Sequence, residues 1–186
     1  MQVPVVDPLS RRLIEQKAQD LLAAYQPECL KSPTPLNVEL LFEKILHDHG
    51  FEYDLLPLPS GMEGLTNPKE KIVIIRPDVY DLMCQGDGRS RFTVMHEVSH
   101  VALHAEKVRE VMVNCGRAGL ARRGEFPYCR DPEWQANELA ASLLMPEPSV
   151  REIMSTDLGC AGTVADRLNV SVMAADIRLR NLRIGR

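Results

Sequence analysis

The sequence predicts an α+β fold, with a small antiparallel sheet placed between helices, in a single domain over residues 1–186. Two segments, 9–25 and 37–49, carry apolar residues at helical spacing, and a third, 91–104, does so without any glycine or proline. Residues 71–76 instead form a short β-branched run that is typical of a strand. With 45% hydrophobic and 26% charged residues, a chain of this length can bury one core.

Residues 1–35 are predicted to hold an amphipathic helix followed by a connector. The apolar positions of the 9–25 segment are separated by charged residues and lie at Leu13, Ile14, Ala18, Leu21 and Leu22. Prolines at positions 27, 33 and 35 then end the pattern, so we expect an irregular connector within the domain. A second helix is predicted over 37–49, because Gly50 follows it and glycine commonly ends helices.

Two strands are predicted ahead of the 91–104 helix. They cover 51–58 and 71–76, and Pro77 ends the second of them. The intervening 61–68 is predicted to be a turn-rich loop, because it contains two glycines and a proline. We expect the strands to form a small antiparallel sheet beside the helix that follows.

The 91–104 segment contains His96-Glu97-Val98-Ser99-His100, which is the HExxH pattern of zinc hydrolases. On a helix, residues four apart lie on one face, so His96 and His100 are predicted to bind one zinc ion. Glu97 lies one step further round the helix, where its carboxylate can reach a water molecule beside the ion. We predict that Glu97 is the general base, and that Ser90 is the N-cap of the helix.

A third zinc ligand is expected, because a catalytic zinc ion commonly has three protein ligands. A second helix is predicted from Asp131, a capping residue, and Pro132, which suits the first helical turn. Glu133 shares its face of that helix with four small or apolar residues, Ala136, Asn137, Ala140 and Leu144. These residues would let the helix pack closely on the HExxH helix. Glu133 is therefore the favoured third ligand, and Glu138 is the alternative.

The two segments together resemble the ImmA/IrrE family of bacterial and phage metallopeptidases. The similarity lies in Arg-Phe-Thr-x-x-His-Glu-x-x-His at 91–100 and Glu-Trp-Gln-Ala-Asn-x-x-Ala-Ala-x-Leu-Leu-Met-Pro at 133–146. It implies a zincin-like domain of the gluzincin type, with Zn²⁺ as cofactor and Glu133 as the third ligand. Ser99 and Leu139 depart from the glycine and phenylalanine that are usual there, and the connection from His100 to Glu133 is longer than is common.

The resemblance implies that the chain hydrolyses peptide bonds in a protein substrate. In this family the substrate is usually a transcriptional repressor, often a helix-turn-helix protein, in a stress-response or mobile-element pathway. By analogy with other zinc peptidases, an extended substrate would add to a sheet edge beside the zinc, and the 71–76 strand or its neighbour is the expected edge. Tyr128 and His104 are candidates for stabilising the oxyanion.

The alternative is a non-proteolytic regulator in which the zinc fold binds DNA or a protein partner, or in which zinc is only structural. Residues 107–130 are predicted to form a basic loop, and 160–186 a helical hairpin resembling a helix-turn-helix. Four arginines of the hairpin are candidates for phosphate contact, Arg167, Arg178, Arg180 and Arg183. DNA binding is possible but not favoured, because the net charge of the chain is -4.

Cysteine usage and hydropathy indicate the compartment. The five cysteines are odd in number and scattered, which is not the pattern of a disulfide framework. No signal-peptide pattern is visible at the amino terminus, and no run approaches the roughly 20 apolar residues of a membrane span. We therefore expect a cytoplasmic protein with no membrane segment.

Overall fold

The computed structural model describes residues 2–114, 120–122 and 126–184. Within these ranges the chain forms an α+β fold of nine helices and five short strands, which confirms the predicted class. In chain order the elements are β1 Gln2–Pro4, α1 Arg11–Tyr25, α2 Glu28–Lys31, α3 Val38–His49, β2 Glu52–Leu55, β3 Gly64–Asn67, β4 Ile72–Ile75, α4 Pro77–Cys84, α5 Gly88–Asn114, β5 Leu120–Arg122, a 3₁₀ turn Tyr128–Arg130, α6 Pro132–Leu144, α7 Glu147–Met154, α8 Ala161–Leu168 and α9 Val172–Leu182.

Helix α5 is the central element of the fold. It packs against α3, α4, α6 and strand β3, and its residues Val94, Met95 and Val98 are fully buried. The backbone N–H of Ser90 donates to the Asp87 carboxylate at 2.7 Å, so Asp87 caps the helix. The prediction that Ser90 is the N-cap is wrong, because the chain already turns into the helix at Gly88.

The two helices predicted in the first 50 residues are both present. Helix α1 begins after Ser10, whose hydroxyl accepts from the Leu13 N–H, and α3 ends at Gly50 in the left-handed conformation. The connector between them is partly helical, because α2 forms one turn after Pro27. Ile14, Ala18 and Leu22 provide the buried face of α1.

The small sheet has the strand order β2-β4-β3 and is mixed rather than antiparallel. Strand β4 pairs parallel with β2 and antiparallel with β3, so the predicted antiparallel arrangement is wrong. The reason is burial: Val73 and Ile75 of β4 are completely buried, and this strand therefore takes the centre of the sheet. The connection of residues 56–63 runs past the end of β4 and joins the two outer strands, β2 and β3.

Strand β3 lies inside the segment predicted to be a loop. Gly64 pairs with Ile75 and Asn67 pairs with Ile72, so the strand is the first arm of a hairpin with β4. The local sequence pattern did not predict this strand, because residues 61–68 contain two glycines and a proline, which are uncommon in strands. Its position matters, because β3 is the strand that packs against α5.

Most of the described residues within 107–130 belong to helices or strands and not to the predicted loop. Helix α5 continues to Asn114, β5 pairs antiparallel with β1, and the 3₁₀ turn follows. Five arginines make this segment basic: the side chains of Arg109, Arg117, Arg122 and Arg123 lie outside the described part of the chain, and Arg130 is the last residue of the 3₁₀ turn. The basic character of this region therefore stays a prediction.

The predicted hairpin at the carboxyl terminus is present as helices α8 and α9, with Asn169 left-handed between them. Arg178 is 3% exposed and donates to the backbone oxygen of Met145 and to both carboxylate oxygens of Glu15. The expectation that Arg178 contacts phosphate is therefore wrong, because this side chain joins α9 to α1 inside the protein.

The helices and cysteines of the described residues relate to the predictions of no membrane segment and no disulfide framework. No helix in them combines the length and the apolar character that crossing a bilayer requires. Four of the cysteines are free thiols, Cys29, Cys84, Cys129 and Cys160, and Cys115 lies outside the described residues.

Arg91 offers a test of how α5 is held in the fold. Its guanidinium is buried and donates to the backbone oxygens of Leu36 and Asn169, each at 2.9 Å. We expect Arg91→Met to lower the free energy of unfolding by about 2–4 kcal/mol, because two carbonyls lose a charged donor. Denaturant titration measures this loss.

Arg89 is the matched control, two residues away on the same helix. Its side chain is 77% exposed and pairs with Glu63 on the surface, so Arg89→Met should cost at most about 1 kcal/mol. Equal losses in the two variants would show that Arg91 does not fasten α5 to its neighbours.

Candidate metal centre

Helix α5 places the imidazoles of His96 and His100 side by side. The two residues are one helical turn apart, and their Nε2 atoms lie 3.0 Å from each other. Both side chains are mostly buried, at 17% and 15% exposure. The HExxH spacing has therefore brought two imidazole nitrogens to one point.

Helix α6 brings Glu133 to the same point. The Asp131 carboxylate accepts from the Glu133 N–H at 3.0 Å, so the helix begins immediately before this glutamate. Its Oε2 lies 3.3 Å from His96 Nε2, and its Oε1 lies 3.4 Å from His100 Nε2. The three side chains each offer one ligand atom, and these atoms all lie within 4.8 Å of one another.

Glu138, the alternative ligand, lies elsewhere. Its Oε1 accepts from Arg11 at 3.1 Å and from Asn181 at 3.2 Å, so it joins α6 to α1 and α9. Five residues along a helix correspond to about 140° of extra rotation beyond one full turn, which carries Glu138 away from Glu133. Of the two glutamates, the structure brings only Glu133 to the histidines.

The two histidines are oriented by partners on their other ring nitrogens. His96 Nδ1 lies 3.0 Å from the Asn137 side-chain oxygen, and His100 Nδ1 lies 3.2 Å from His104 Nδ1. Hydrogen bonds at Nδ1 are the usual way in which a protein aims Nε2 at a metal ion. Two imidazole nitrogens and one carboxylate form a donor set that suits zinc, and the Glu133 side chain is 38% exposed.

The electrostatics of the cluster keep Glu133 ionised. Contacts with the His100 and His96 imidazoles hold the pKa of the Glu133 carboxyl far below its usual range. For His96, burial opposes the charged form, but Glu133 and Glu97 outweigh it and raise the pKa of the imidazole. The carboxylate of Glu133 and the imidazole of His96 thus each favour the charged form of the other.

Glu97 lies beside this cluster and is held by strand β3. Its carboxylate Oε2 accepts from the Thr66 hydroxyl at 2.7 Å, and the same hydroxyl lies 3.2 Å from the Glu97 backbone oxygen. Gly64 lies so close that a Cβ built there would be 2.7 Å from Glu97 Cγ. Glu97 is 8% exposed, so its carboxylate has a defined position on the helix that carries both histidines.

The two residues suggested for oxyanion stabilisation do not fit that role equally. His104 is buried, and both of its ring nitrogens have partners, His100 and Gln135, so its suggested role is wrong. Burial lowers the pKa of His104 to about 4. Tyr128 is 67% exposed and packs edge to face on Trp134, the residue after Glu133. Its role stays a prediction.

Sequence reasoning missed Thr66 and Gln135. Thr66 fell within a segment predicted to be a loop, and nothing local marks it as a partner of Glu97. The sequence offered more to suggest the role of Gln135. This residue lies two positions after Glu133, and a third histidine, His104, lies one helical turn after His100.

Comparison with known proteins identifies the family of this region. The model of the peptidase M78 family, described as the IrrE N-terminal-like domain, matches residues 83–180. The match covers more than half of the chain and contains His96, Glu97, His100 and Glu133. None of the curated proteins compared with the chain matches it.

Metal analysis tests the choice between the two glutamates. We expect Glu133→Ala to weaken zinc binding by more than about 100-fold, the upper end of the loss seen for groups outside the ligand set. Glu138→Ala should bind zinc as the wild type does, since its partners are Arg11 and Asn181. Competition with a chelating dye measures both affinities. Unchanged binding in Glu133→Ala, or loss only in Glu138→Ala, would contradict the assignment.

Proposed function

This chain belongs to the peptidase M78 family, and on that premise we propose that it is a zinc-dependent endopeptidase. His96, His100 and Glu133 hold the ion, and Glu97 is the general base. The observation that carries the proposal is the buried Glu97 carboxylate, fixed by Thr66 next to the His-His-Glu cluster. A purely structural zinc site gives no reason to hold a further acid at this position.

The chemistry divides between the ion and the protein. When bound, zinc would lower the pKa of a water molecule at its open position and polarise the peptide carbonyl. Glu97 accepts a proton from the attacking water and later donates it to the leaving amine. The Thr66 hydroxyl donates to one oxygen of this carboxylate, and the other oxygen lies beside Gly64 of the same strand. Asn137 and His104 keep the two imidazoles turned toward the cluster.

The substrate enters this proposal as an extended peptide along β3. Strand β4, one of the expected edges, is the centre of the sheet, whereas its neighbour β3 packs against α5 beside the metal centre. In the described ranges β3 pairs with β4 alone. The free side of β3 therefore offers backbone groups to which a peptide can add as a new strand.

We propose, from the resemblance noted in the sequence, that the substrate is a helix-turn-helix transcriptional repressor in a stress-response or mobile-element pathway of the cytoplasm. A role in DNA binding has less support. Of the four arginines considered for phosphate contact, Arg178 is buried against Glu15, and Arg180 pairs with Asp176 on its own helix.

The substitution Glu97→Gln tests the general base. We expect it to lower kcat/KM by about 10²–10⁴-fold, because the amide cannot accept the proton, while zinc affinity stays as in the wild type. The measurement is cleavage of repressor proteins encoded beside this gene, followed by mass spectrometry of the fragments. Cleavage at the wild-type rate by Glu97→Gln would remove Glu97 from the mechanism. A zinc-loaded wild type that cleaves none of these repressors would overturn the proposed substrate.

Thr66 allows a finer test of the same carboxylate. We expect Thr66→Val to lower kcat by up to about 100-fold with little change in KM, because it removes the hydroxyl that positions Glu97. Thr66→Ser keeps the hydroxyl and is the matched control, which should retain most of the activity. Equal activity in the two variants would show that the hydrogen bond does not position the base.

A further inference from the structure

Gln135 is a completely buried amide whose orientation is determined by its surroundings. Its Nε2 donates to the backbone oxygens of Asp7 at 2.8 Å and of Cys129 at 2.6 Å. A carbonyl oxygen can only accept, so both hydrogens of the amide nitrogen are used there. The amide oxygen must then be the end that faces His104.

The tautomer of His104 follows from this orientation. Its Nε2 lies 2.9 Å from the Gln135 oxygen, which can only accept, so the hydrogen of a neutral ring is on Nε2. Nδ1 is then without hydrogen and acts as an acceptor. His104 is 3% exposed, so the ring is shielded from bulk solvent.

The tautomer of His100 follows in turn. Its Nδ1 lies 3.2 Å from His104 Nδ1, which can only accept, so His100 must carry its hydrogen on Nδ1. In the neutral ring, the Nε2 of His100 then carries no hydrogen, and it lies 3.4 Å from the Glu133 carboxylate. A metal ion needs this tautomer.

We propose that Gln135 and His104 are positioning residues that set the tautomer of His100 before any metal is bound. The chain of contacts runs from two backbone carbonyls through an amide and an imidazole to a ligand nitrogen. This role rests on the proposed metal centre, but it does not depend on peptide cleavage. Outside the ligand set, such partners commonly change metal affinity by about 10–100-fold.

Nitrogen-15 spectra of the imidazoles in the metal-free, full-length protein test the tautomers directly. At a pH where the rings are neutral, His104 should carry its hydrogen on Nε2 and His100 on Nδ1. In Gln135→Met, which has no acceptor for His104, the His100 signals should move toward a mixture of tautomers. A wild-type His100 with its hydrogen on Nε2, or one that is already a mixture, would overturn the proposal.

Zinc affinity, measured by dye competition with zinc ions alone, supplies the second readout. Gln135→Met should bind zinc about 10–100-fold more weakly than the wild type. The matched control is Gln26→Met, because Gln26 is also a buried amide with two backbone hydrogen bonds, both to Asn37. This control should lose stability but keep its zinc affinity. Equal affinity in the two variants would overturn the proposal.

Two His104 variants test whether zinc affinity depends on the hydrogen-bond acceptor or on the ring itself. His104→Asn offers an oxygen near the position of Nδ1 and should retain most of the zinc affinity, whereas His104→Leu offers no acceptor and should not. Equal loss of zinc affinity in both variants would contradict a role through the acceptor.

If zinc binds as expected but no repressor is cleaved, the proposed function fails and the role of Gln135 stands. If cleavage occurs but the His100 tautomer is not fixed, the role of Gln135 fails and the proposed function stands.

Discussion

The packing of helix α5 on helix α6 is the contact on which the candidate metal centre depends. His96 and His100 come from the first helix and Glu133 from the second, so the distance between the helices sets the distance between the ligands. Ala136 and Ala140 of α6 are completely buried and allow the two backbones to approach closely. A larger side chain at either position would separate the helices and the ligands together.

The same two helices carry the groups that orient the ligands. Asn137 on α6 reaches His96 on α5, and Gln135 on α6 reaches His104 on α5. Strand β3 adds Thr66, which holds Glu97, and the backbone oxygens of Asp7 and Cys129 hold Gln135. The candidate site is therefore built mainly on one helix pair, and its groups hold one another in place by hydrogen bonds. Among the described residues, no buried side-chain polar atom lacks a partner.

The terminal segments hold this helix pair from outside. Arg178 on α9 joins Glu15 on α1, and Glu138 on α6 is bound by Arg11 and Asn181 from the same two helices. These are buried or half-buried contacts, where the loss of one partner leaves the other charge uncompensated. Two charged residues that the sequence had offered for binding, Arg178 and Glu138, thus have a structural use.

The sequence alone determined the residues of the site that share a helix, because helical periodicity is a local property. His96, Glu97 and His100 follow from their spacing, and the helices α1, α3, α6, α8 and α9 follow from their apolar patterns and end signals. Tertiary structure decided what depends on distant segments. It placed Glu133, and not Glu138, with the histidines. It put β4 at the centre of a mixed sheet and not at an edge. It also made a strand of residues 64–67, which lie in a segment rich in turn residues. It also joined Gln135 to His104 and Thr66 to Glu97, because a hydrogen bond across 31 positions of chain leaves no periodic trace in the sequence.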